Sequence, residues 1–112
     1  AYYQSTRKLI LKGVDGIVFV ADSQEHRLQD NVRSFSDLRQ FLTEMGKLFY
    51  DFPIVIQLNK RDLPQALPTE VLKQHLNGNN FPCFNAIATN AIGVFETLKE
   101  IIIRLGKQLT AH

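Results

Sequence analysis

The sequence predicts an α/β domain built on a partial parallel sheet, three strands with flanking helices. Three observations carry that prediction. Three short apolar runs occur in order, each followed by a polar turn and then a segment of helical pattern. The first two runs are rich in β-branched residues and barely alternate, as expected of parallel strands covered on both faces. The segments between and after them repeat apolar residues at spacings of three and four.

The first run, Gly16-Ile17-Val18-Phe19-Val20-Ala21-Asp22, predicts a strand over 16–22. Ahead of it, Arg7 to Leu11 suggest a short helix closed by Gly13. Val32, Phe35, Leu38, Phe41, Leu42 and Met45 form one stripe and predict the first crossover helix. Pro53-Ile54-Val55-Ile56-Gln57-Leu58-Asn59 predicts the second strand. A shorter helix follows from near Pro68 through Val71 and Leu72 to Leu76, proline being favoured in a helix's first turn. The third run, Phe81 to Ile87, contains Pro82, which cannot donate to a ladder. It therefore reads as an edge strand or as a strand with Pro82 near its start. The last helix follows Gly93, with Phe95, Leu98, Ile101, Ile102, Leu105 and Leu109 as its expected buried face. Strands alternating with helices imply right-handed crossovers. No repeat, low-complexity tract or linker divides the 112 residues, which suffice for one modest core.

Composition narrows the function classes. The chain is 45% hydrophobic and 21% charged, as ordinary soluble domains are. Thirteen basic against eleven acidic side chains leave no clustered positive stripe of the kind nucleic-acid binding needs. The single cysteine, Cys83, lies in an apolar run and reads as an inert, buried thiol in a reducing compartment. No run has the length of a membrane span, and neither a signal-peptide pattern nor a lipidation box is seen. The expectation is a cytoplasmic protein without a membrane anchor.

Ligands of open parallel sheets bind beyond the carboxyl ends of the strands. That rule selects Asp22-Ser23, Asn59 to Asp62, and Ala88-Thr89. Asn59-Lys60-Arg61-Asp62 carries the most specific chemistry. Guanine presents two adjacent donors, N1–H and the N2 amine, which one carboxylate can accept together. Adenine has an acceptor at N1 and no amine at C2. Such a bidentate pair discriminates by roughly 1–3 kcal/mol. Asp62 is the candidate acceptor, and the Asn59 amide can donate to guanine N7. Lys60 can lay its aliphatic stem over the base while its ammonium stays in solvent. Beyond the third strand, a small residue at Ala88 lets a backbone N–H approach the base edge and donate to O6. Taken alone, that segment also fits a loop with Thr89 or Asn90 as a helix cap.

The Asn-Lys-x-Asp motif, the Ala88 loop and the Asp22-Ser23 strand end resemble the Ras-like small GTPases. The longer strings Arg7 to Ser23, Pro53 to Pro64 and Gly93 to Glu100 are similar to the bacterial MglA-type GTPases of gliding motility and cell polarity. The resemblance runs nearly the whole chain. It implies a P-loop NTPase-type sheet, partial here, with Asn59, Lys60 and Asp62 as base-specificity residues. It further implies Ala88 as the backbone donor, with Thr89 beside it. The family usually reads Ser-Ala-Lys where this chain has Ile87-Ala88-Thr89, so a following lysine is not available to stack. GTP or GDP is the implied ligand, with Mg²⁺ in the full-length parent. A Roadblock-type GTPase-activating protein and motility or polarity effectors are the implied partners.

No Gly-x-x-x-x-Gly-Lys-[Ser/Thr] phosphate loop occurs in the sequence. By resemblance, the Asp-x-x-Gly region lies just ahead of Ala1, and Tyr2, Tyr3 and Gln4 belong to the second switch. Phosphoryl transfer depends on those parts for positioning and charge neutralisation. Residues 1–112 are therefore expected to be the carboxyl-terminal half of a Ras-like GTPase domain, able to recognise guanine but not to hydrolyse GTP alone. An apolar first strand that needs a neighbour on each edge agrees with that. The alternative is a non-catalytic interaction module derived from a GTPase. A flavodoxin-like receiver is disfavoured, because the first strand lacks paired acidic residues.

Overall fold

The computed structural model describes residues 15–78 and 80–111. Strands β1 (Ile17–Asp22), β2 (Ile54–Asn59) and β3 (Cys83–Asn85) form one parallel sheet in the order β1-β2-β3. Helices α1 (Leu28–Glu44), α2 (Thr69–Leu76) and α3 (Val94–Ala111) follow the three strands in turn. The predicted order of strands and helices is thus the observed one. The expected helix over Arg7 to Leu11, and the segment Tyr2 to Gln4, lie outside the described residues.

β2 explains why its run is continuously apolar. Ile54, Ile56 and Leu58 join the core cluster with Leu38 and Leu42 of α1 and with Leu72 and Leu76 of α2. The alternate residues, Val55 and Gln57, are also buried, and α3 packs against β2. Since strand side chains alternate between faces, both faces of β2 are covered. Phe35 of α1 meets Phe19, Phe49 and Phe81 edge-to-face at centroid distances of 4.9, 5.5 and 6.3 Å. That geometry suits the ring quadrupoles and seats α1 across the sheet.

β3 is shorter than its apolar run. Pro82 stands just ahead of it, and its carbonyl accepts from Ile56 N at 2.8 Å. The strand begins after the proline because only there can an N–H enter the ladder. β3 is also at the sheet's edge, so both features expected from Pro82 are present.

Helix α1 ends in a Schellman motif. Gly46 has φ +77°, with Gly46 N donating to Thr43 O and Lys47 N to Leu42 O at 3.0 and 2.9 Å.

The face expected to be buried on α3 is buried only in part. Thr97 and Ile101 pack inward, whereas Phe95, Leu98 and Ile102 are 71%, 50% and 65% exposed. Val20 of β1 is also 54% exposed, so β1, unlike β2, is not covered on both faces. The cause is architectural. α3 sits over β2 and β1 through one side, and no described element covers the adjoining stripe.

A buried polar chain fixes the start of α3. Gln57 Nε2 donates to Thr97 Oγ1 at 3.0 Å, and Thr97 Oγ1 donates to Gly93 O at 2.7 Å. Thr97→Val preserves shape but leaves the buried Gln57 amide without its acceptor. The expected cost is about 1–3 kcal/mol, read as a lower urea midpoint. A Gln57→Leu, Thr97→Val double variant, with both polar partners gone, should recover most of it; equal midpoints for wild type and Thr97→Val would refute the role given to this chain.

Candidate functional site

The site is assembled where the strands end. Asp22 and Asn59 are register partners, so β1 and β2 terminate side by side. Ser23 N donates to Asn59 O at 3.1 Å, and Leu67 N donates to Ser23 O at 2.8 Å. These bonds draw the loop after β2 back over the end of β1.

Asn59 is the last residue of β2, and Lys60 leaves the strand with φ +62°. A left-handed conformation at a non-glycine residue costs of order 1–3 kcal/mol and must be held by its surroundings. Two bonds hold the turn that follows. Leu63 N donates to Lys60 O at 3.2 Å, and Arg61 N donates to Ala86 O at 3.2 Å. The second joins the end of β2 to the end of β3. It brings the Asn59-to-Asp62 segment beside the loop that carries Ala88 and Thr89. Arg61 contributes again through its side chain, with Nη1 donating to the Leu67 carbonyl. Asp62 itself is exposed.

The loop beyond β3 is tightly closed. Ala86 is buried, and its N–H donates to Leu58 O at 2.7 Å. Ile87 and Ile92 exchange backbone hydrogen bonds of 2.9 and 3.1 Å, making a small antiparallel bridge. Between them lies the 3-10 turn Ala88–Asn90, in which Thr89 is exposed. Neither Thr89 nor Asn90 caps α3, because Gly93 occupies the residue before that helix. The loop is therefore a separate structure held against the motif, and the cap reading of Thr89 is set aside.

Asp22 is the best-held charge at the strand ends. Lys60 Nζ donates to its Oδ2 at 3.0 Å, and the Gln24 N–H and side-chain amide donate to Oδ1 at 3.1 and 3.0 Å. Burial alone would raise the Asp22 carboxyl, but the Gln24 backbone N–H, Lys60 and the Gln24 amide together outweigh it. The net shift is downward, so this group is a carboxylate at neutral pH. Cys83 behaves oppositely. Burial pushes its thiol up against the weaker pull of Lys73, which leaves it protonated and unreactive, although it is only partly buried.

Among the described residues, no group of three or more His, Cys, Asp or Glu side chains is arranged to hold a metal. No helix among them is long and apolar enough to cross a membrane.

The chain matches the family model described as ADP-ribosylation factor family over residues 3–106, nearly its whole length. The chain belongs to that family of Ras-like small GTPases. The mutual gliding-motility protein MglA of Myxococcus xanthus (strain DK1622) is 50% identical to it over 100 residues. The match covers 89% of this chain and 51% of that protein, so the chain spans about half the length of the curated relative it matches. The three-stranded parallel sheet with its helices is accordingly part of a P-loop GTPase α/β fold. Small GTPases as a family bind guanine nucleotides with magnesium and work through regulators and effectors.

Three contributors to the site had no local signal in the sequence. Arg61 occupies the variable position of the motif, yet its N–H donates to the Ala86 carbonyl beyond β3 and its guanidinium to the Leu67 carbonyl. Asp22 reads from the sequence only as a strand end, and its partner Lys60 is 38 residues away. Gly93 reads from the sequence as a helix opener, whereas it also has φ +78° and, lacking a Cβ, lets α3 start close against Asn85 and Ala86.

Proposed function

We propose that this chain is the guanine-recognising, carboxyl-terminal half of an MglA-like small GTPase, a GTP/GDP molecular switch. The observation that carries the proposal is the Arg61 N–H to Ala86 carbonyl bond. It couples the two strand-end segments whose chemistry suits a guanine edge. In this reading Asp62 accepts from N1–H and N2, Asn59 donates to N7, and the Lys60 stem lies over the base. The backbone of Ala88, with Thr89 beside it, meets O6. Guanine then sees one carboxylate and one backbone donor placed for its own edge, and adenine mismatches both.

The phosphates and Mg²⁺ belong to the other half of the parent domain in this proposal. The sequence contains no phosphate loop. Two structural features favour a missing neighbour. Among the described residues, β1 lies at one end of the sheet order, and Val20 of β1 and Phe95, Leu98 and Ile102 of α3 are exposed. Exposed apolar side chains and an open strand edge are what a further strand and helix would cover. The half-length match to the relative agrees with this. The complete protein would be cytoplasmic. It would engage a Roadblock-type activating protein and effectors of motility or polarity, as its resemblance to MglA implies.

Titration calorimetry of the 112-residue chain tests the division of labour. Base contacts without phosphate contacts should give an affinity for GTP no better than about millimolar. Micromolar binding would overturn the assignment of phosphate binding to a separate half.

A further inference from the structure

Lys60 poses a problem that the base-stacking role does not answer. Its backbone is held in a left-handed conformation, and its long side chain is 48% exposed. A free lysine side chain carries about 2 kcal/mol of rotamer entropy, which binding would have to remove. In this structure the side chain is already directed. Its Nζ lies 3.0 Å from Asp22 Oδ2, across the paired ends of β1 and β2.

Asp22 is held more firmly than a surface ion pair requires. Both of its carboxylate oxygens accept from Gln24 Nε2, at 3.0 and 3.2 Å, and Oδ1 also accepts from Gln24 N. Its backbone is clasped by the buried Asn31 of α1. Asn31 Nδ2 donates to Asp22 O at 2.7 Å, and Asp22 N donates to Asn31 Oδ1 at 3.3 Å. Arg27 Nε stands 4.0 Å from the same Oδ2, adding a second positive charge. With a side chain only 21% exposed, Asp22 is the anchor, and the half-exposed Lys60 is the partner it restrains.

We infer that Asp22 is a positioning residue for the nucleotide: it tethers the Lys60 ammonium to the end of β1 and so sets the lysine stem across the strand ends before the base arrives. The inference rests on the guanine-binding reading above. Its energetic content is preorganisation. The rotamer freedom of Lys60 is removed during folding and is not charged against nucleotide binding.

The test is nucleotide dissociation from the complete GTPase domain containing this chain, followed with fluorescent GDP. Asp22→Asn keeps shape and an acceptor oxygen but removes the charge. Lys60→Met keeps much of the stem and removes the ammonium. Each variant should weaken GDP binding about tenfold. The double variant should be no weaker than either single one, because both remove the same tether. Asp22→Glu should restore part of the loss. Lys60 is only half buried, so Lys60→Met keeps the test decisive even if Asp22→Asn fails to fold. Additive losses, or a Lys60→Met variant with wild-type affinity, would overturn the tether while leaving guanine recognition standing. A wild-type protein that does not prefer GDP over ADP would overturn both.

Discussion

Gly93→Ala is expected to destabilise the fold by at least about 3 kcal/mol, the largest loss from a single methyl group that this structure predicts. Two costs combine. Gly93 has φ +78°, where a Cβ brings of order 1–2 kcal/mol of backbone strain. The added Cβ would also overlap the Asn85 carbonyl oxygen and stand 2.9 Å from Ala86 Cα. Both are backbone atoms of the strand end and loop, so no side chain can swing away to relieve them. Relief requires α3 to move off the sheet, which pulls at the Gly93–Thr97–Gln57 hydrogen bonds. Small domains have only about 5–15 kcal/mol of stability, so the variant should approach unfolding. Urea denaturation measures this directly. A loss under about 1 kcal/mol would mean that the loop after β3 is not held as described.

The second large effect falls on binding. In the complete domain, Asp62→Asn should weaken GTP binding by about a hundredfold, since an amide can present only one acceptor where guanine offers two donors. Fold stability should scarcely change, because Asp62 is exposed at a turn held by backbone bonds and by the Arg61 side chain. The same change should improve binding of xanthosine triphosphate, whose C2 carbonyl accepts from the new amide. Equilibrium displacement of fluorescent GDP reads both. Unchanged GTP affinity together with no gain for the xanthine nucleotide would remove Asp62 from the base site.

These expectations rest on parts of the molecule that differ in how legible they are. β2 could be read from its sequence because burial on both faces forces an unbroken apolar run. The motif at its end followed at once, since strand ends are where such sheets bind ligands. α1 is equally plain, its stripe packing against the core along its length. α3 was legible as a helix but not in its burial. Periodicity identifies an apolar face without saying which neighbour covers it, and Phe95, Leu98 and Ile102 remain exposed. The limits of β3 depended on one missing N–H at Pro82. Least legible were contacts made across distance. Asp22 with Lys60, Gln57 with Thr97, and Arg61 with the Ala86 carbonyl each join separate elements, so no local spacing records them.

That last group matters most for function. The Asn-Lys-x-Asp motif states which base could be read. The contacts around it describe a motif whose backbone is fixed to two neighbouring strand ends and whose lysine is tethered to Asp22 at one of them. Such a site is ordered before a ligand arrives, and preorganised donors and acceptors discriminate best.

Competition among three nucleotides reads recognition of the guanine edge without any substitution in the protein. The complete domain, loaded with fluorescent GDP, is challenged with GTP, inosine triphosphate and ATP at equilibrium. Inosine keeps N1–H and O6 but lacks the N2 amine, so it removes one of the two donors assigned to Asp62. Inosine triphosphate is expected to compete about tenfold or more weakly than GTP, a difference of at least about 1.4 kcal/mol, and ATP scarcely to compete. Equal competition by all three would show that the strand ends do not read the base.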